Sequence, residues 1–351
     1  MKFSLSWPII GNNHITEYLS RLIQQKDLDG TYIFTGPCDL GKTTLAYYFA
    51  QSVLCDNYRK GQGTLPCCLC ESCRKINLTK KYIKQTDSLE QSLHGDFHIV
   101  RKAKDKKNIS ISQIRELINT LGMGSFLNSY KIGIIKYAED LSEEAANAFL
   151  KTLEEPKRRV IIILITNHIE YLPKTVVSRS RVLNFQLVNP DVIYDYLIQK
   201  YNITRSKAKN YSHLSLGRPA LAVKFLENQN FYDDYFVKAD ILFSIIKRDT
   251  NESLKKIEQI FNNKVVGQEN VAKAIEVVRI WQGIARDLLL FKLKQRRLIQ
   301  HEMAITELKQ AELNINIRDL LKLLSSLDKA IEYLKANVSP RIALESVVLA
   351  I

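Results

Sequence analysis

Residues 31–54 read TYIFTGPCDLGKTTLAYYFAQSVL, and this stretch decides the fold. An apolar strand-like run leads into a loop with two glycines, and a helix-like run begins directly after it. The loop matches the G-x-x-x-x-G-K-[ST] pattern of phosphate-binding loops, whose backbone N–H groups wrap phosphate oxygens. In that pattern Lys42 places its charge at the β- and γ-phosphates, and the hydroxyl of Thr43 reaches a magnesium ion. We therefore predict a nucleotide site built from the loop residues Gly36, Pro37, Cys38, Asp39, Leu40, Gly41, Lys42, Thr43 and Thr44.

Apolar runs after the loop predict the rest of an α/β domain. Residues 131–135 (KIGII) and 160–166 (VIIILIT) are almost entirely apolar, which is typical of parallel strands covered on both faces. Segments with helical periodicity accompany them, including residues 13–25. We predict a doubly wound parallel sheet with helices on both faces across residues 1–188.

The rest of the chain is predicted to be helical. Asn189 and Pro190 mark a boundary, because the residue before a proline disfavours the helical region. We expect a small helical domain over residues 189–235 and an all-helical third domain over residues 236–351, where the periodic apolar pattern continues.

Composition and charge limit the class of protein. The chain has 351 residues, of which 46% are apolar and 25% charged, enough for two or three globular domains. No apolar window reaches the length of a membrane span, so we expect a cytoplasmic protein without membrane contact. The net charge of +14 favours a polyanion such as DNA, with basic clusters at residues 80–84, 102–107, 157–159 and 292–297. A solvated basic surface is the alternative.

Five of the six cysteines lie between Cys55 and Cys73. Cys67, Cys70 and Cys73 form C-x2-C-x2-C, and four thiolates with Cys55 suffice for a closed tetrahedral Zn²⁺ site. We predict a structural zinc module over residues 55–73, with Cys68 as a spare thiol. A group of buried free cysteines is the alternative.

The end of the strand at residues 131–135 bears on hydrolysis. A nucleotide-hydrolysing α/β protein needs an acid at such a strand end, but Lys136 and Tyr137 follow the apolar run. A slipped register would offer Glu139 and Asp140 instead, but it would bury a lysine inside the sheet. Ser142 also suits a helix N-cap directly afterwards. We therefore interpret both acids as surface charges of a turn, and we expect no water-activating acid.

Arg179 lies in the segment TVVSRSRVLNFQ, after a short helical stretch that follows the strand ending near Thr166 and Asn167. An exposed arginine at this place can reach the nucleotide of a neighbouring subunit, as arginine fingers do. An ordinary surface arginine is the alternative.

Several of these motifs together resemble the AAA+ clamp-loader subunits of bacterial DNA polymerase III. The resemblance rests on FTGPCDLGKTTLA, PCCLCESC, AANAFLKTLEEP and VVSRSRVLNFQ, and it covers about residues 8–190 most specifically. The family's Ala-Asn-Ala-Leu-Leu-Lys-Thr-Leu-Glu-Glu-Pro run matches residues 146–156 with one change, Phe149, and its Ser-Arg-Cys motif appears with Ser180 in place of cysteine. The resemblance implies an AAA+ domain, a helical lid and an all-α collar.

The resemblance also implies a function. The degenerate strand end and the segment NVSPRIALESVVL are similar to the delta-prime type, a stator whose Arg179 would act in trans on ATP of a neighbouring motor. Its partners would be gamma/tau and delta subunits in a hetero-pentamer, the sliding clamp and primer-template DNA. Thr166 and Arg218, the latter in a stretch that resembles the sensor-2 region, would complete the nucleotide site, although Arg218 could equally be structural. The alternatives are an active gamma/tau-type ATPase and a zinc-bearing DNA-binding NTPase outside replication.

Overall fold

The structure, a computed structural model, describes residues 3–85, 92–103, 106, 108–125, 129–154, 157–247, 249–261, 268–336 and 338–350. The chain divides into two compact units, one formed by residues 1–192 with 218–220 and the other by residues 193–217 with 221–351.

The first unit contains both the strands and the helices that surround them. The strands are β1 (Phe3–Leu5), β2 (Gly30–Thr35), β3 (Gly63–Leu65), β4 (Phe97–Val100), β5 (Lys131–Lys136), β6 (Val160–Ile165) and β7 (Arg181–Asn184). The helices are α1 (Asn13–Gln25), α2 (Lys42–Val53), α3 (Asp56–Lys60), α4 (Glu71–Gln85), α5 (Ile111–Gly122), α6 (Glu143–Glu154) and α7 (Lys174–Ser178).

The main sheet of the first unit is parallel throughout, with the strand order β4-β5-β6-β2-β7. All six residues of β6 are buried, because helices cover both faces of the sheet. The phosphate-binding loop leaves the carboxyl end of β2, which lies between β6 and β7. The predicted α/β class with a parallel sheet is therefore confirmed.

Two apolar cores lie against this sheet. On one face α1 contributes Ile15, Leu19, Leu22 and Ile23, all buried, as the helical spacing of these residues indicates. On the other face Phe149 of α6 packs in a second core with residues of α5. The sheet that carries the loop is thus held between two packed layers.

The second unit is helical in its described residues. Its helices are α8 (Pro190–Tyr201, beginning in the first unit), α9 (Arg205–Leu214), α10 (Pro219–Glu227, also beginning in the first unit), α11 (Gln229–Ile246), α12 (Thr250–Ile260), α13 (Gln268–Lys292), α14 (Ile305–Asn314), α15 (Ile317–Lys335) and α16 (Pro340–Val348). Trp281 is fully buried, and its Nε1 donates to the carbonyl of Lys238 at 2.8 Å. Helix α11 spans residues 235 and 236, where the sequence predicts the boundary between lid and collar. That boundary stays a prediction. Within the described part of the chain, no helix combines the length and apolarity needed to cross a bilayer.

Candidate functional site: a phosphate-binding loop and a four-cysteine module

Two glycines shape the phosphate-binding loop. Gly36 has φ 128°, and a Cβ there would lie 2.4 Å from the carbonyl oxygen of Phe185. Gly41 has φ 90° and precedes the first residue of α2, Lys42. Both positions require glycine, because L-residues with a side chain rarely adopt these angles. Within the loop Leu40 is buried, and Thr43 and Thr44 are half-buried in the first turn of α2.

Lys42 is the buried cation of this loop, with only 5% of its surface exposed. Its Nζ donates to the carbonyls of Gly36 and Pro37 at 2.5 Å and to Oδ1 of Asn167 at 3.0 Å. Burial lowers the pKa of Lys42 to about 8, and the nearby charges of Cys38, Glu139 and Asp39 oppose that shift. The loop therefore holds a desolvated lysine whose three N–H donors are shared among Gly36, Pro37 and Asn167.

Arg218 lies beside the same loop. Its Nη1 donates to Sγ of Cys38 at 3.8 Å, and the N–H of Ala220 donates to the carbonyl of Asp39 at 3.0 Å. Nε of Arg218 is buried and has no hydrogen-bond partner among the described residues. The structure thus brings Arg218 to the predicted nucleotide site.

Thr166 and Asn167 follow strand β6 directly. The Thr166 hydroxyl accepts from the N–H of His168 at 3.0 Å, whereas the amide of the next residue, Asn167, contacts Lys42. Sequence reasoning proposed Thr166 and left Asn167 out of the nucleotide-binding set. The sequence feature that could have identified Asn167 was its position. It lies one residue past the predicted strand 160–166, at the carboxyl edge of the sheet where the phosphate-binding loop also begins.

The turn after β5 places the carboxylate of Glu139 beside Asn167, although the sequence predicts a surface position for it. Strand β5 ends at Lys136, one residue beyond the predicted end at Ile135, and Tyr137 follows with φ 57° and about 50% exposure. Ala138–Asp140 then form one turn of 3-10 helix, and Oε1 of Glu139 accepts from both the backbone N–H and Nδ2 of Asn167 at 3.2 Å. The prediction for Glu139 is wrong, because the turn directs its side chain back toward Lys42 instead of into solvent.

Asp140 differs from its neighbour. Its side chain is half-buried and pairs with Lys102 at 3.0 Å. Ser142 accepts from the N–H of Ala145 at 3.2 Å, so the predicted N-cap of α6 is confirmed. Of these two acids, Glu139 is the one that hydrogen bonds connect, through Asn167, to the nucleotide loop.

Arg179 lies directly after α7, with 39% of its side chain exposed. Its Nη2 pairs with Oε1 of Glu154 at 3.1 Å, and its Nη1 donates to the carbonyl of Thr175 at 3.2 Å. Glu154 is the last residue of α6 and belongs to the TLEEP run, whose Glu155 and Pro156 lie outside the described residues. The guanidinium is therefore held at an accessible surface by two contacts.

The basic clusters are only partly described. Lys157 donates to the carbonyl of Gly122 at 3.3 Å, and Nζ of Lys80 lies 5.8 Å from the ring centres of Tyr47 and Tyr48. The predictions for Lys104 and Lys107, and for the side chains of Lys81, Lys84 and Arg297, lie outside the described residues.

Cys55, Cys67, Cys70 and Cys73 converge, with all four Sγ atoms within 4.8 Å of one another. The Sγ atoms of Cys67 and Cys73 are 3.9 Å apart. Backbone N–H groups of Cys67, Cys70 and Cys73 donate to Sγ of Cys55, Cys67 and Cys70, respectively, at 3.4–3.5 Å. Cys68 is exposed and lies outside the group.

The charges of this cluster favour a cation. A hydrogen bond from the thiol of Cys73 lowers the pKa of Cys55 to about 5, and the same interaction raises the pKa of Cys73. Ionisation is therefore favoured at Cys55 over Cys73, and repulsion from the charge of one thiolate opposes the ionisation of the other. A Zn²⁺ ion would remove that repulsion, and four sulfur donors fit its tetrahedral preference.

Fold and site together define the class of this protein: an α/β domain whose loop matches the phosphate-binding pattern, with a four-cysteine module and followed by helices. The family described as DNA polymerase III, delta subunit matches residues 11–189, more than half of the chain. The chain therefore belongs to this family, and it is related to clamp-loader subunits.

Individual relatives agree with the family assignment. The chain is 30% identical over 185 residues to DNA polymerase III subunit tau of Bacillus subtilis, covering 53% of this chain and 30% of the relative. It is 29% identical over 204 residues to subunit delta' of Haemophilus influenzae, covering 56% and 57%. It is 29% identical over 217 residues to subunit delta' of Bacillus subtilis, covering 62% and 60%. These matches span between about one third and three fifths of each relative's length.

Proposed function

We propose that this chain is a delta-prime-type stator of a DNA polymerase III clamp loader. In this role it supplies Arg179 in trans to ATP held by an adjacent motor subunit. It assembles with gamma/tau and delta subunits in a hetero-pentamer that loads the sliding clamp on primer-template DNA. Its basic surface supports contact with DNA.

The observation that carries the proposal is the end of β5. Lys136 and Tyr137 occupy the two places where a motor subunit needs acids, while Arg179 stays exposed at the surface. A stator needs its fold and its finger and does not need turnover. Relatives named tau and delta' match at 30% and 29% identity, so the choice depends on this strand end.

Two cofactors accompany this role. Cys55, Cys67, Cys70 and Cys73 hold a structural Zn²⁺, because a closed four-thiolate site leaves no position for water. The loop Gly36–Thr44 with Thr166 and Arg218 holds a nucleotide with Mg²⁺, in which Lys42 contacts the phosphates and Thr43 the metal.

An assembly experiment tests the proposal. Arg179→Ala stator is mixed with wild-type gamma/tau, delta and clamp, and DNA-stimulated ATPase is measured after assembly has been confirmed by size exclusion. We expect a large loss of ATPase with assembly intact, because the planar guanidinium neutralises charge on a transferred phosphate. Arg181→Ala is the matched control, since Arg181 is similarly half-exposed but its guanidinium pairs with Asp27. Unchanged activity in a fully assembled Arg179→Ala complex would leave Arg179 an ordinary surface arginine and remove the finger from the proposal.

An active gamma/tau-type ATPase is the second candidate, and the contact between Glu139 and Asn167 beside Lys42 favours it. It requires magnesium-dependent turnover by the isolated chain. For the stator we expect far less than about 1 s⁻¹, the low end of ordinary enzyme rates. Turnover at that rate or above that is lost in Lys42→Ala would establish the motor instead.

A further inference from the structure

Lys42, Asn167 and Glu139 form a continuous polar chain at the phosphate-binding loop. Nζ of Lys42 donates to Oδ1 of Asn167 at 3.0 Å. The backbone N–H and Nδ2 of Asn167 both donate to Oε1 of Glu139 at 3.2 Å. A cation and a carboxylate thus face each other across one amide.

The chemistry of the three groups fixes the orientation of the amide. An ammonium group only donates hydrogen bonds and an ionised carboxylate only accepts them. The Asn167 oxygen must therefore face Lys42, and its NH₂ must face Glu139. Because the Asn167 backbone N–H also binds Oε1, the carboxylate is held by two donors from one residue.

The second carboxylate oxygen has no such partner. Oε2 of Glu139 is buried and has no hydrogen-bond partner among the described residues. A buried carboxylate oxygen without a partner is unfavourable, and it retains its full capacity to bind a donor or a cation. The phosphate of a bound nucleotide cannot be that partner, because phosphate and carboxylate repel each other. A divalent cation would remove the repulsion, and Mg²⁺ prefers carboxylate and phosphate oxygens.

We propose that Glu139 supplies the carboxylate for the magnesium ion of a bound nucleoside triphosphate, in place of the strand-end acid that this chain lacks. Asn167 is a positioning residue that holds Glu139 and Lys42 on opposite sides of its amide. The acid is displaced three residues beyond the strand end and returns to the loop through the 3-10 turn at Ala138–Asp140. This inference rests on the proposed nucleotide site of the same loop.

The test compares ATP affinity with and without magnesium. Binding of ATP to the full chain is measured by calorimetry in MgCl₂ and in EDTA for wild type and Glu139→Gln. Glutamine keeps an oxygen that can accept from Asn167 but removes the charge. We expect the magnesium-dependent gain in affinity to fall by about tenfold, the size of one lost charge-assisted contact. Affinity in EDTA should stay equal or rise, because the variant no longer repels the phosphates.

Asp140→Asn is the matched control, since Asp140 lies in the same turn but pairs with Lys102. It should keep the wild-type magnesium dependence. A purely structural role of Glu139 would change both affinities by the same factor, and that result overturns the inference. A larger loss in Asp140→Asn than in Glu139→Gln also overturns it. Lys42→Ala should abolish binding in both buffers.

The outcome is distinguishable from failure of the stator proposal. If wild-type chain binds no ATP at millimolar concentration in MgCl₂, the inference about Glu139 is refuted. Assembly of the same preparation with gamma/tau and delta subunits then still tests the stator role, because the proposed role of Arg179 does not depend on nucleotide in this loop.

Discussion

Removal of one thiolate from the four-cysteine module should cost the chain both its metal and much of its stability. In a tetrahedral site with metal–sulfur distances of about 2.3 Å, the sulfurs lie about 3.8 Å apart. The Sγ atoms of Cys67 and Cys73 are already 3.9 Å apart, and all four Sγ atoms lie within 4.8 Å of one another. Closing the site therefore requires sulfur movements of well under about 1 Å. We expect one zinc per chain, and none after Cys73→Ser.

The loss of stability follows from the linkage of binding to folding. Free zinc at about 1,000 times its dissociation constant stabilises the folded state by about 4 kcal/mol. For a unit of this size, about 150–250 residues, that corresponds to a fall in Tm of roughly 8–16 °C. Cys55 and Cys73 are fully buried and pack in the same core as α1 and α2, so the module cannot loosen without exposing that core.

The assay combines metal analysis by mass spectrometry with thermal unfolding of wild type, Cys55→Ser, Cys73→Ser and Cys68→Ser, each purified without chelator. Cys68→Ser is the internal control, because its thiol is exposed and outside the group. A zinc-free wild-type chain refutes the reasoning. So does a pattern in which Cys68→Ser loses the metal and Cys55→Ser retains it.

Two further predictions concern the cores of the two units. Phe149 of α6 is fully buried in the core between α6 and the sheet. Phe149→Ala should therefore destabilise the first unit by about 3–5 kcal/mol in urea unfolding, and Phe149→Leu by clearly less. Equal losses in the two variants would contradict the assigned packing. Asp287 is fully buried, and its Oδ2 accepts from the backbone N–H of Gln300 and from the backbone N–H and Nδ1 of His301. Asp287→Ala should therefore lower the free energy of unfolding of the second unit by about 3–5 kcal/mol. Asp328→Ala, which removes an exposed contact with Gln282, should cost about 1 kcal/mol or less, and a similar loss in both variants would refute a special role of the buried acid.

The fold of the first unit was predictable because each element carries a local signal. The run Val160–Ile165 is apolar at every position, which is typical of a strand covered on both faces. The loop from Gly36 to Lys42 indicates the strand before it and the helix after it, because glycine is needed at its sharp backbone angles. The four cysteines could be grouped from their spacing alone, and the structure brings all four together.

The position of Glu139 could not be predicted in the same way. Sequence periodicity gives the direction of a side chain inside a helix or a strand, but not inside a single turn. Here Tyr137 adopts φ 57°, an angle uncommon for a residue with a large side chain, and this redirects the chain so that Glu139 faces Asn167. Nothing local in the sequence marks that angle. Asn167 was missed for a related reason. Thr166 and Asn167 are adjacent after the strand end, yet Thr166 accepts a hydrogen bond within its own turn whereas Asn167 faces the loop.

The two acids of a nucleotide-hydrolysing site have separable tasks, and we propose that this chain retains an acid for only one of them. One acid holds the metal that neutralises the phosphates, and the other orients or activates the attacking water. We propose Glu139 for the first task, whereas Tyr137 occupies the place of the second acid and Asp140 is paired with Lys102. A site with only the first acid binds the magnesium–nucleotide complex and leaves it intact. We therefore expect ATP affinity that depends on magnesium together with negligible turnover by the isolated chain. Measurement of both quantities on one preparation separates the stator, which shows affinity without turnover, from the motor, which shows both.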